Sequence, residues 1–180
     1  MRDGTAGAGT KTVSVLGVGN VLMRDEGVGS AVIEFLNGHF AFDDGVQAVD
    51  CATMGLALLP YFRDSDHVIV VDAVDGTGHS PGTVVRFSPD DIARHPRGHT
   101  AHSIAFPDVL DAAAMLGYEV VGHCVGIQVA DMRPEVFDMG LTPTVGDAVS
   151  AAADEVIRLL GELGVGVRRL DAPVEGEHHG

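Results

Sequence analysis

Only two cysteines, Cys51 and Cys124, occur in 180 residues. They form neither a CxxC pair nor a four-thiolate set, which excludes a disulfide scaffold and a thiolate zinc site and leaves two buried free thiols in a reducing compartment as the expectation. Basic residues are scarce as well, 11 against 26 acidic ones, for a formal net charge of −15. A field of that sign repels phosphate backbones and anionic headgroups, so neither nucleic acid nor a membrane is expected as a partner. No apolar run approaches the roughly 20 residues that span a bilayer. The opening stretch, Met1 to Lys11, is small and polar and does not read as a signal peptide, so a cytoplasmic protein is expected. The phosphate-cradling GxxxxGK[ST] loop, the GxSxG elbow and the HExxH zinc motif are all missing.

What is present is enough to fold. Hydrophobic residues make up 46% and charged ones 21% of the chain, with mean hydropathy +0.21, which suits one buried core and rules out wholesale disorder. Thr12 to Leu16 predicts a strand that ends in Gly17-Val18-Gly19-Asn20, and Val28, Ala31, Val32, Phe35 and Leu36 follow at helical spacing. Val46 to Val49 predicts a second strand stopping at Asp50, and Leu56 to Phe62 a short amphipathic helix. The continuous run Val68 to Val71 predicts a strand covered on both faces, broken at Asp72. Thr83 to Phe87 and Tyr118 to Val129 predict further strands. Residues 89 to 100 predict a surface loop, and Val109, Leu110, Ala113 and Leu116 a helix closed by Gly117. Thr142-Pro143 has the chemistry of a helix start, continued by an apolar stripe from Val145 to Leu163 and stopped at Gly164. Alternating strands and helices predict a single α/β domain over residues 12–164, a mostly parallel twisted sheet with helices on both faces, between flexible termini at 1–11 and 171–180.

In such sheets, sites form at the carboxyl ends of strands. Three polar clusters fall there: Asn20 to Glu26, Asp50 to Thr53, and Asp72 to Asp75. Gly17 to Leu22 is no dinucleotide fingerprint, because leucine stands where the third glycine belongs. Metal-capable residues are dispersed over Glu26, Asp50, Asp72 and His102. Asp72 at the rim of a buried strand demands a partner or a metal, since an unpaired buried carboxylate costs several kcal/mol. His102, in an irregular segment before a helix, can present its imidazole to solvent or metal. His123 and Cys124 are adjacent on a strand and so face opposite ways.

The run from Leu16 to Gly29 resembles the GxGNxLxxDExxG signature of the nickel-iron hydrogenase maturation proteases. The resemblance continues through Val49 to Gly55, Val70 to Ala73, His102 with Asp108 to Leu110, and Gly140 to Val145, in order over about residues 12 to 163. Ala52 departs from it, standing where the Asp-x-Gly-Thr pattern has glycine. The resemblance implies a twisted α/β fold and an endopeptidase that removes the C-terminal extension of a [NiFe]-hydrogenase large-subunit precursor once nickel is inserted. It implies Glu26, Asp72 and His102 as catalytic nickel ligands, with the nickel carried in by the substrate. Asp50 is expected as a further catalytic residue close to the cleft but not on the metal, because Cys51 to Thr53 predicts a turn whose backbone can pair with an extended substrate. Close backbone approach of the substrate tail at Gly17, Gly19 and Gly27 is expected. The competing expectation is a nickel-sensing checkpoint protein that docks on the precursor without cutting it.

Overall fold

The computed structural model describes residues 11–87, 91, 106–130 and 137–171. The expected loop over 89–100, His102, and both expected flexible termini, apart from Lys11, Asp91 and Asp171, lie outside them.

The apolar runs become a five-stranded sheet in the order β3-β1-β4-β6-β5. Strands β1 (Val13–Gly17), β3 (Val46–Asp50), β4 (His67–Val74) and β6 (Val121–Gln128) are parallel, and β5 (Val84–Phe87) closes one edge antiparallel to β6. Because side chains alternate across a strand, β4 divides its residues between two cores. Ile69, Val71 and Ala73 join Val13, Val15, Val125 and Ile127 under helices α1 (Val28–His39) and α4 (Pro143–Glu162). Val68 and Val70 join Leu16 and Cys124 under α2 (Leu59–Arg63) and α3 (Phe106–Met115). This is the doubly covered, mostly parallel sheet expected from the strand-helix alternation.

Two details differ. β4 does not stop at Asp72 but runs on to Val74, with Asp72 in register with Gly126 of β6, so the carboxylate is part of the strand rather than its terminus. A small antiparallel pair also forms from β2 (Phe40–Phe42) and β7 (Val167–Arg169), two three-residue strands too short to show a period in sequence.

The sheet order places a switch point between β1 and β4. The chain leaves β1 through α1 to β3 on one side, and returns through α2 to β4 on the other. The loops that leave β1 and β4 therefore diverge at the carboxyl edge and open a crevice there, the usual ligand position of such sheets. Val18 carries the β1 ladder one residue further by donating its N–H to the Val71 carbonyl, at 3.0 Å, immediately beside Asp72.

Candidate active site

Glu26 reaches the crevice on a short 3-10 turn, Arg24–Gly27, that packs against β4. The turn can lie that close because glycine stands where neighbouring backbone passes. A Cβ on Gly19, whose φ is +150°, would collide with the Glu26 carbonyl, and one on Gly17 would come within 2.5 Å of the Gly29 carbonyl. A Cβ on Gly27 would approach Val21 to 3.0 Å. The Cβ positions of all three glycines are thus closed off by the chain's own packing, which by itself accounts for glycine there.

The side chains of Glu26 and Asp72 are both buried, with residue exposures of 5% and 4%. Burial pushes the Asp72 carboxyl well above the usual carboxylate range. The Ala73 N–H pulls it partly back, and the neighbouring charge of Glu26 raises it further. Both acids, 46 residues apart in the chain, thus lie buried at this edge, with the charge of Glu26 acting on Asp72. Two carboxylates in low dielectric do not both ionise cheaply. His102 lies outside the described residues. Among those described, no group of three His, Cys, Asp or Glu gathers with metal-binding geometry.

Asp50 ends β3 two strands from Asp72 and is exposed. Its Oδ1 accepts hydrogen bonds from the Ser30 hydroxyl, at 2.8 Å, and from the Ala52 N–H, at 3.0 Å. Residues Cys51 to Met54 form the expected turn, closed by the Met54 N–H on the Cys51 carbonyl and tied to the first loop by the Gly19 N–H on the Ala52 carbonyl. Ala52 holds φ at +44°, the left-handed region that glycine adopts freely and alanine does not. Beside Asp50 a cavity of about 490 Å³ runs along α1, with Arg24, Gly27, Glu34 and Leu141 in its walls.

Neither thiol is a nucleophile at neutral pH. Burial, helped by Asp50, pushes Cys51 up to about 11, and burial with Asp72 nearby pushes Cys124 higher still, so both stay protonated.

Asp25, at the same edge, has a part that the sequence did not reveal. It is buried, 3% exposed, and accepts the Thr142 backbone N–H on Oδ1, at 2.7 Å, and the Thr142 hydroxyl on Oδ2, at 3.0 Å. Thr142 was expected to cap α4 with its own hydroxyl. It occupies the N-cap position but makes no such bond, and the hydroxyl goes to Asp25 instead.

A parallel α/β domain with two buried carboxylates beside its switch point offers acidic side chains, and no activated thiol, at this edge. The hydrogenase maturation protease family model of the HycI type matches residues 30–159. The hydrogenase 2 maturation protease of Escherichia coli K12 is 32% identical over 155 residues, covering 85% of this chain and 93% of that protein. The hydrogenase expression/formation protein HupD of Thiocapsa roseopersicina is 34% identical over 169 residues, covering 92% and 76%. The solved structure of the hydrogenase maturating endopeptidase HybD from E. coli superposes with a TM-score of 0.72 at 30% identity, over 88% of this chain and 97% of that one. The chain belongs to the hydrogenase maturation protease family. It is a peptidase, a processing endopeptidase of hydrogenase maturation.

Proposed function

We propose that the protein removes the C-terminal extension of a [NiFe]-hydrogenase large-subunit precursor, and that Glu26, Asp72 and His102 meet the nickel which the precursor carries. The observation that supports this most is that Glu26 and Asp72 are both buried at the carboxyl edge of the sheet, with the charge of Glu26 acting on Asp72. One imidazole added to two carboxylates is an oxygen and nitrogen donor set suited to nickel(II). Three protein donors leave coordination positions open for substrate groups or water. In this reading the metal identifies a loaded precursor and fixes its tail in the crevice, while Asp50 stands at the crevice's edge and holds the 51–54 turn. No helix among the described residues is long and apolar enough to cross a membrane. A cytoplasmic site of action is part of the proposal.

The test is incubation with nickel-loaded and nickel-free precursor, read by mass. Wild-type protein is expected to shorten only the loaded form, and His102→Ala neither form, with its far-UV circular dichroism unchanged. Efficient cutting of nickel-free precursor would remove the metal from the mechanism.

A further inference from the structure

We propose that Asp25 is a positioning residue: its carboxylate, gripped by Thr142, locks the turn that carries Glu26 to the start of helix α4 and so holds Glu26 against Asp72. The inference rests on the assignment of Glu26 and Asp72 to the reaction, and adds what keeps them together.

The need for a lock follows from the site itself. Of the two buried acids, one sits inside the sheet and the other on an element that needs outside support. Glu26 is the one able to move. Asp72 is fixed inside β4 between two strands, whereas Glu26 rides on a four-residue 3-10 turn, an element too short to persist by its own hydrogen bonds. The turn also begins at Arg24 with φ at +55°, a conformation that a residue with a side chain keeps only where its surroundings impose it.

The imposing contacts come from one segment more than a hundred residues away. The Arg24 N–H donates to the Asp138 carbonyl, at 2.8 Å, and the Asp138 N–H to the Leu22 carbonyl, at 3.1 Å. Those are backbone bonds that many sequences could make. The Asp25 contact is different, because both carboxylate oxygens are used and both donors belong to Thr142. A carboxylate at that place also meets the positive end of α4, which attracts its negative charge. Helix α4 is a firm anchor. It is 20 residues long and sinks Val145, Ala148, Ala152, Ala153, Val156, Leu159 and Leu160 into the main core. Glu26 thereby takes its position from the most deeply packed helix of the fold, through the residue directly before it.

Three variants and two measurements test this. Asp25→Ala removes both bonds, Thr142→Val keeps the backbone bond and deletes the hydroxyl one, and Thr142→Ser retains both. On nickel-loaded precursor, kcat/KM is expected to fall about a hundredfold in Asp25→Ala and about tenfold in Thr142→Val, and to recover in Thr142→Ser, as befits a misplaced ligand of the precursor's nickel. Adding Thr142→Val to Asp25→Ala should cost nothing further. Wild-type kcat/KM in a folded Asp25→Ala protein, or additive losses in the double variant, overturns the proposal. Hydrogen exchange on the protein alone supplies the second measurement. Amides of Arg24 to Gly27 are expected to exchange faster in Asp25→Ala and Thr142→Val while those of Val68 to Val71 keep their protection. Unchanged exchange at the turn overturns the inference whether or not the precursor is cut. Failure of the wild-type protein to cut any precursor would instead overturn the proposed function and leave the lock to be decided by exchange.

Discussion

At Ala52 the backbone sits at φ +44° with its N–H donated to Asp50 and its carbonyl accepting from Gly19, so these two bonds hold alanine in the left-handed conformation beside the crevice. The left-handed region costs an L-residue roughly 1–2 kcal/mol, and glycine gives back about half of that through its freer unfolded chain. Ala52→Gly is therefore expected to stabilise the protein by about 0.5–1 kcal/mol, read as a higher urea midpoint with an unchanged m-value. A lower midpoint would show that the strain is not borne at Ala52. Glu26, Asp50 and Asp72 were visible as acids placed where strands end, a one-dimensional signal. Asp25 was not. It lies inside the same motif, but its meaning comes from Thr142, 117 residues later, and no spacing or periodicity records that bond.

At the scale of elements, the helix from Pro143 and the strand through Val68 to Val71 were legible because each repeats its apolar residues at its own period over a long enough stretch. The end of β4 was not, since a carboxylate reads as a stop in sequence while the ladder to Gly126 and Gln128 carries the strand past it. The other end of β4 and β6 bears a different titrating feature. His67 Nδ1 and His123 Nε2 share a hydrogen bond of 3.3 Å, and His123 Nδ1 is buried without a hydrogen-bond partner. Burial first, then His67 and Arg86, depress His123 to about 4 against the opposing pull of Glu162. Between about 4 and 6.5 the unfolded chain holds a proton that the folded chain refuses, so stability rises with pH across that window and is lost as pH falls through it. The loss due to His123 should reach about 2–3 kcal/mol. Asp72, a carboxyl raised by folding, works in the opposite direction over part of the same range, so the wild-type slope alone decides nothing. His123→Leu is expected to flatten the fall in urea midpoint between pH 7 and pH 4.5, and an unaltered profile would place the acid sensitivity elsewhere.

For the whole molecule the balance is between local ion pairs and net charge. The ion pairs among the described residues lie at the surface: Arg24 with Asp138, Arg63 with Asp64, Arg86 with Glu162, and Arg158 with Glu155 and Glu162. Exposed pairs of this kind contribute about 0–1 kcal/mol each and are weakened by salt. Against them stands a net charge of −15 on 180 residues, whose self-repulsion opposes the compact state and is screened by the same salt. The buried Glu26 and Asp72 pair is shielded from this screening, which acts mainly between exposed charges within a Debye length of about 10 Å at 0.1 M. The surplus of like charge outweighs the few pairs, so raising sodium chloride from about 0.02 M to about 0.5 M should stabilise the fold by about 1–2 kcal/mol, a rise of a few degrees in Tm at neutral pH. Calorimetry at the two salt concentrations checks it. A Tm that falls with salt would mean that the surface pairs, and not the net repulsion, dominate the electrostatics of this acidic protease.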